Sequence, residues 1–217
     1  MISVWNKKVE FPKWKQTLVI KRDKYIKMIK LCKNVLSKKI PKEKNYKCQG
    51  FLIGKRYPDR IEILDVIQAK TDLRQKEPFK SYIDKMLEKY MISPPTSKQK
   101  IADCPYCYFR DRGFVISAEE YESVAEKSKK KGLEIVGIFH LHYCPYPTDM
   151  SSITKYDVML WNPRLICAVV DMSYLAWKKI LKAMPEIPKE DKPKSPQIRF
   201  YKVTYSKKVY EFPVKIF

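Results

Sequence analysis

The chain has 217 residues, 45% of them hydrophobic and 13% aromatic, which suits a single domain with a real core and excludes global disorder. Five glycines and fifteen prolines exclude a glycine-loop nucleotide fold and a collagenous sequence. No apolar run approaches the ~20 residues that span a bilayer, and the first residues hold no apolar signal segment, so we expect no membrane partner and a cytoplasmic location.

Charge is the strongest compositional signal. Lys and Arg number 45 against 24 Asp and Glu, a formal net charge of +21, and residues 1–48 hold fifteen of the basic side chains against three acidic ones. Such a surface attracts polyanions, so RNA or a ribonucleoprotein is a candidate partner; a solvated lysine surface is the alternative. The candidate nucleic-acid contacts are Lys7, Lys8, Lys13, Lys15, Lys21 and Arg22.

The first seventy residues predict an alternation of strands with one helix. Apolar residues recur at helical spacing between lysines up to Pro41, which ends the helix. A turn containing Pro58 separates two further apolar runs. The predicted elements are strands at 17–21, 48–53 and 60–69 and a helix at 23–40.

Residues 70–112 fit this regular pattern poorly, and we interpret them as an insertion that contains an amphipathic helix over 81–91. After it, Ser117 and Glu120 have the spacing of a capping box, and Gly132 ends the helix they open. The remaining predicted elements are strands at 114–116, 133–142, 165–171, 199–205 and 209–217, helices at 151–161 and 173–184, and a Pro/Lys linker at 185–198. Helices interleaved with a mixed sheet predict one domain over 1–217 of the α/β (α+β) class.

Six cysteines occur, and four of them stand alone among apolar neighbours, as expected of free thiols in a reducing compartment. Only Cys104 and Cys107 form a CxxC pair. Structural zinc normally needs a second pair of ligands, so this pair is a metal half-site completed by distant residues, a disulfide, or neither.

His140 and His142 are the only histidines of the chain, and both lie at the end of the most apolar predicted strand. Side chains two residues apart in a strand point to the same face. Two adjacent imidazoles suit two ligands of one tetrahedral zinc ion, and an unliganded pair at a strand end is the alternative.

The stretch Glu134–His142, EIVGIFHLH, resembles the E-x-V-G-x-Y-H-S-H strand of the JAMM/MPN metalloproteases. Gln49–Gly54 is similar to the G-x-L-x-G strand of that family, and the resemblance covers most of residues 17–172. It implies an MPN-like mixed sheet flanked by helices, with the layering of cytidine deaminases and with residues 70–112 as the insert.

The family binds one zinc ion through H-x-H-x7-S-x2-D, with a water as the fourth ligand and a glutamate three residues before the first glycine as the base. The resemblance implies zinc at His140 and His142, with Lys47 at the glutamate position. A protonated lysine cannot accept the proton of the water, and it repels the metal ion. A loop one residue longer puts Ser151 at the serine position, which donates a hydrogen bond to the oxyanion, and Thr154 at the aspartate position. Asp149 is our first choice for a replacement ligand, with Asp157 and Cys144 as alternatives; a second register aligns Thr148 with the serine.

Two functions follow from this pattern. The first is a divergent zinc isopeptidase that acts on a ubiquitin-like modifier, with weak or no activity because two carboxylates are replaced. The second is a catalytically dead MPN scaffold that binds RNA or a ribonucleoprotein through its basic surface. By resemblance, either protein could pair with another MPN domain. The insertion could also dock a partner or cover the former catalytic groove.

Overall fold

The computed structural model describes residues 11–39, 46–90, 113–143, 157–158, 161–175 and 195–217. In these ranges the chain forms one curled sheet of eight strands with three helices, so the predicted mixed-sheet α+β class is confirmed. No helix within these ranges is both long and apolar enough to cross a bilayer. The strands are β1 (Thr17–Ile20), β2 (Gln49–Arg56), β3 (Arg60–Gln68), β4 (Glu134–His142), β5 (Ile166–Asp171), β6 (Gln197–Val203), β7 (Val209–Glu211) and β8 (Val214–Ile216), and the helices are α1 (Arg22–Leu36), α2 (Phe79–Tyr90) and α3 (Ala118–Lys129).

The strand order is β7-β6-β5-β4-β2-β3-β1-β8. The pairs β4–β5, β1–β3 and β1–β8 are parallel, and the other pairs are antiparallel. All six residues of β5 are buried, as expected of a central strand that is covered on both faces. One stretch of chain contacts both ends of the sheet, because Trp14 N–H donates to the Glu211 carbonyl of β7 (2.8 Å) while β1 pairs with β8.

Helix α1 covers one face of the sheet. Met28 and Cys32, one turn apart, are fully buried in the largest apolar cluster, which also includes Phe139 of β4. Helix α3 covers the other face through Val124, next to Phe51. His140 belongs to this second face, where its ring lies 5.8 Å from that of Trp161.

Helix α1 ends at Leu36, four residues before the predicted end at residue 40, and three further predictions differ from the structure. Residues 114–116 form no strand of the sheet; they lie against the turn at Asp72, whose Oδ1 accepts the Val115 N–H at 3.0 Å. The predicted strand 209–217 is two strands, because Pro213 between them has no N–H for a ladder bond. The predicted linker 185–198 extends too far, since β6 begins at Gln197.

The predicted capping box is half formed. The Ser117 hydroxyl accepts the Glu120 N–H (3.2 Å), as predicted. The Glu120 carboxylate does not return to the Ser117 N–H; it accepts the N–H groups of Lys70 (2.7 Å) and Thr71 (2.8 Å). The Thr71 hydroxyl accepts the Ser117 N–H instead (3.0 Å). The start of α3 therefore anchors the turn that follows β3.

Helix α2 lies within the segment that we interpret as an insertion, close to the predicted helix at 81–91. It packs on the domain through Ile83, which is 4% exposed. The two ends of the segment are joined by the hydrogen bond from Leu73 N–H to the Val115 carbonyl (2.8 Å). The limits of the insertion remain a prediction.

Candidate metal centre

The last residues of β4 bring the two imidazoles together. His140 and His142 alternate along the strand and therefore point to one face. Their Nε2 atoms are 3.0 Å apart, and their ring centroids are separated by 4.8 Å. This is the paired arrangement that the sequence spacing predicts.

Asp157 completes a group of three ligand-type side chains. Its Oδ1 lies 3.2 Å from Nε2 of His140, and its Oδ2 lies 3.5 Å from Nε2 of His142. Burial raises the pKa of the Asp157 carboxyl, but the charge and hydrogen bonds of the two histidines outweigh burial and hold that pKa well below its usual value. The two histidines and Asp157 thus form one electrostatically coupled group.

The two imidazoles and the carboxylate lie close enough together to hold one metal ion. With metal–ligand bonds of ~2.0–2.1 Å, a regular tetrahedron has edges of about 3.3 Å. The Nε2–Nε2 distance (3.0 Å) and the distance from Nε2 of His140 to Oδ1 of Asp157 (3.2 Å) are close to that value. The 3.5 Å distance joins Nε2 of His142 to the other carboxylate oxygen, and one ligand atom from each of the three residues lies within 4.8 Å of the others. Within the described part of the chain, no fourth His, Cys, Asp or Glu joins the group. The donor set is thus two imidazoles and one carboxylate, which is the composition of hydrolytic zinc sites with one open position.

Aromatic side chains wall the group on one side. The ring centroids of Phe114 and Trp161 lie 5.7 and 5.8 Å from that of His140, which is 4% exposed. Trp161 is fixed because its indole N–H donates to the Leu165 carbonyl (3.0 Å). Burial and then the nearby Asp157 charge raise the pKa of the Cys167 thiol well above its usual value, so Cys167 is an uncharged packing residue.

The neighbouring strand β2 and the residues just before it lie beside the two histidines. Gln49 pairs with His140 in the β2–β4 register. The ladder extends by one bond, because Leu141 N–H donates to the Cys48 carbonyl (2.8 Å), so Lys47 lies opposite His142. Directly opposed residues have Cβ atoms roughly 4.5–5.5 Å apart on the same face. Lys47 and Gln49 therefore border the two histidines.

The turn after β3 holds these two side chains. Lys47 Nζ lies 2.9 Å from Oδ2 of Asp72, and Gln49 Nε2 donates to the Thr71 carbonyl at 3.3 Å. Asp72 is itself fixed, because its Oδ1 accepts the N–H groups of Arg74 and Val115, both at 3.0 Å. Lys47, which aligns with the glutamate base of the JAMM/MPN pattern, thus forms an ion pair with Asp72.

The other predicted site residues divide into two groups. Lys13, Lys15, Lys21 and Arg22 are exposed, and Lys13 contacts Glu211 at 2.7 Å. The residues that lie outside the described ranges are Ser151, Asp149, Thr148, Cys144, Thr154, Cys104, Cys107, Lys7 and Lys8, and their predicted roles stay predictions.

Asp157, one of the two alternatives to Asp149, is the carboxylate that lies beside the histidines in the described residues, and Asp149 lies outside them. A signal for Asp157 was present in the sequence: a hydroxyl residue, Thr154, precedes it by three, as the serine precedes the aspartate in the family pattern. The loop after His142 is simply four residues longer than in that pattern. The contribution of Asp72 had no sequence signal, because it lies 25 residues from Lys47.

No protein-family profile matches the sequence, and no curated protein does. Among solved structures, the solution structure of protein DSY2949 from Desulfitobacterium hafniense matches with a TM-score of 0.52 and 14% identity over 93% of each chain. A protein from Salinibacter ruber matches with a TM-score of 0.45 and 13% identity, covering 90% of this chain and 88% of its own. The first match indicates a shared fold and nothing about activity.

Proposed function

We propose that the protein is a divergent JAMM/MPN-type zinc protein whose metal is held by His140, His142 and Asp157. The observation that carries this proposal is the convergence of the three side chains: the two Nε2 atoms are 3.0 Å apart, and each lies 3.2 to 3.5 Å from one oxygen of the Asp157 carboxylate. The resemblance of Glu134–His142 to the metal-binding strand of that family supports it independently. The finer fold assignment, an MPN-like sheet with deaminase-like layering, belongs to the same proposal.

In this family the bound zinc supplies an activated water for attack on an isopeptide carbonyl. The glutamate that takes the proton of that water is replaced by Lys47, whose ammonium contacts Asp72. Loss of a general base typically costs ~10²–10⁴-fold in rate. Under this proposal the protein binds zinc, and it hydrolyses the isopeptide bond to a ubiquitin-like modifier weakly or not at all.

The proposal reassigns the hydroxyl residue of the motif. With Asp157 at the aspartate position, the three-residue spacing assigns the hydroxyl to Thr154, and Ser151 loses that role. A threonine hydroxyl can donate the same hydrogen bond as a serine hydroxyl. The proposed site thus keeps the metal ligands and the hydroxyl donor, but it lacks the glutamate that takes the proton of the water.

Metal analysis of protein purified without a chelator tests the proposal. We expect one zinc per chain in the wild type and none in a His140→Ala, His142→Ala double variant, with Asp157→Asn strongly reduced. Asp65→Asn is the matched control, since Asp65 contacts Lys27 on the surface at 3.0 Å, away from the histidines. Zinc-free wild type, or equal loss in the control, contradicts the proposal.

A second candidate function is binding of RNA through the basic surface, favoured by the exposure of Lys15, Lys21 and Arg22 and by the net charge of +21. Binding through phosphate contacts weakens steeply with salt, with a slope of about −0.7 per contact for single strands. We expect Lys21→Glu, Arg22→Glu to flatten that slope for a labelled single-stranded RNA. Lys131→Glu, an exposed lysine after α3, is the control. Salt-independent affinity contradicts RNA binding.

A further inference from the structure

Three cationic side chains meet at the turn before β5, at the opposite end of β4 from the histidines. The guanidinium of Arg56 donates through Nη2 to the carbonyl groups of Val136 (2.8 Å) and Arg164 (2.9 Å). The ammonium of Lys202 donates to the carbonyl of Pro163 (2.5 Å). Because Pro163 and Arg164 are consecutive, Arg56 and Lys202 are held beside one turn, and the side chain of Arg164 is the third cation.

This cationic cluster, Arg56, Arg164 and Lys202, is short of negative charge. Glu134 contacts it, with Oε2 3.6 Å from Nε of Arg56, and its side chain is 52% exposed. Arg164 Nε donates to the neutral hydroxyl of Tyr205 (3.2 Å). Among the described residues, no carboxylate pairs with Arg164 or Lys202. Three cations against one carboxylate leave a net charge of +2 at the turn.

Lys202 shows the effect of this imbalance. It is partly buried, and its ammonium lies 5.8 Å from the centroid of the Trp14 ring. Burial, and after it the positive charge of Arg56, lowers the pKa of the Lys202 ammonium. An anion in contact with both cations would favour their charged forms and so offset both effects.

The cluster is accessible to a ligand. Arg56 and the exposed Lys55 line a surface cavity of about 290 Å³ between the end of β2 and the start of β4. The Arg56 side chain is 32% exposed, and Arg164 is also exposed. Within the described ranges, Nη1 of Arg56 makes no hydrogen bond, and Lys202 donates one of its three N–H groups. Both cations therefore keep donors for an anion.

We propose that Arg56, Arg164 and Lys202 form a binding site for a phosphate group. A phosphate group carries about −1.5 to −2 charges at pH 7, which matches the net charge of the cluster, whereas a single carboxylate supplies half of it. Arginine offers a planar fork of N–H donors to phosphate oxygens, and lysine adds a compact charge. Glu134 and His142 are eight residues apart on β4, or ~26 Å, so this site does not depend on the proposed zinc centre.

Isothermal titration calorimetry with inorganic phosphate at low ionic strength tests the inference and needs neither metal nor an activity assay. We expect Lys202→Met, which keeps an unbranched side chain beside Trp14, to raise the Kd about 10-fold. Lys202→Arg keeps the charge and should stay within about 3-fold of wild type. Lys30→Met removes the same charge from the exposed surface of α1 and should leave the Kd unchanged.

Glu134→Gln should change the affinity in the opposite direction. It removes the one carboxylate of the cluster, so we expect phosphate to bind about 3-fold more tightly, which damage to the fold would not produce. Unchanged or weaker binding in this variant, or no saturable binding to wild type, overturns the site. Equal weakening in Lys202→Met and Lys30→Met also overturns it, because the general positive charge of the protein would then account for binding.

Phenyl phosphate as a second probe identifies the source of the phosphate group. Tighter binding than that of inorganic phosphate assigns the site to an organic phosphate monoester, and weaker binding assigns it to the free ion. In either case the order of the variants should stay the same. A different order for the two probes overturns the shared site.

Discussion

Arg74 and Asp84 form an ion pair that ties helix α2 to the turn beside the candidate metal centre. The Arg74 side chain is fully buried, and its Nη2 lies 2.6 Å from Oδ1 of Asp84. Arg74 N–H also donates to Asp72, the residue that holds Lys47. The position of α2 and the wall of the site therefore depend on one another.

Replacing Asp84 should destabilise the fold. Asp84→Ala removes the carboxylate from a fully buried guanidinium, and because Asp84 is 33% exposed we expect a loss of about 2 kcal/mol in the free energy of unfolding. Urea denaturation measures it. Lys80→Ala is the control, since Lys80 contacts the same carboxylate at 4.0 Å with half its side chain exposed, and its removal should cost less than ~0.5 kcal/mol. Equal costs for the two variants would contradict the importance of the buried pair.

Glu120 should make the free energy of unfolding depend on pH in the acidic range. Burial raises the pKa of its carboxyl, but hydrogen bonds from Thr71 and from the backbone of Lys70 outweigh burial and lower the pKa below its usual value. A lowered native pKa gives stability that is complete above the unfolded pKa of ~4.3 and is lost as pH falls through the native pKa.

We therefore expect Glu120→Gln to be about 1.5 kcal/mol less stable than wild type at pH 7, with the difference shrinking as pH falls from ~5 to ~3. Chemical denaturation at several pH values measures the difference. Glu122→Gln, on the exposed side of α3, should follow the wild-type profile. A constant difference between Glu120→Gln and wild type over that pH range would argue against the assignment.

Zinc should stabilise the protein through the three ligands. At a free zinc concentration 100 times the Kd, mass action adds ~2.7 kcal/mol, which for a chain of 217 residues corresponds to a rise in Tm of roughly 5–10 °C. We expect this rise in the wild type, its reversal by a chelator and its absence in His142→Ala. Differential scanning calorimetry measures it, and an identical zinc response in His142→Ala would place the metal elsewhere.

Placing a glutamate at position 47 should restore hydrolytic activity. Lys47→Glu alone would oppose Asp72, so the useful variant is Lys47→Glu, Asp72→Asn. With zinc bound we expect its cleavage of an isopeptide-linked model substrate to exceed that of wild type by ~10²-fold or more. Asp72→Asn alone is the control. Full zinc occupancy with no gain in rate would mean that more than the base has been lost.

A glycine in β2 should tolerate no side chain. A Cβ on Gly54 would lie 1.7 Å from the Glu62 carbonyl oxygen, at the point where the β2–β3 register shifts. We expect Gly54→Ala to destabilise by more than ~3 kcal/mol. Gly132→Ala, at a positive φ of 65° with open space around it, should cost about 1 kcal/mol. Equal thermal stability of the two variants would contradict this difference.

The part of the site that could be predicted from the sequence is the histidine pair, because it depends only on the alternation of side chains along one strand. His140 and His142 share a face because the side-chain period of a strand is two, and this follows from the sequence of β4 alone. The third ligand depends on loop length: a loop one residue longer than the family pattern aligns Thr154 with the aspartate, whereas a loop four residues longer aligns Asp157. The turn that holds Lys47 depends on contacts between Asp72 and Lys47, 25 residues apart, and between Glu120 and Lys70, 50 residues apart, which have no local signature.

The stretch of chain before β1 has a consequence for how the protein reaches its native state. Lys13 contacts Glu211, 198 residues further along, and β1 pairs with β8. Contacts of such separation close very large loops and form slowly. During synthesis one edge of β1 therefore has no partner strand until β8 has been made. We expect chaperones to bind the nascent chain that still lacks β7 and β8.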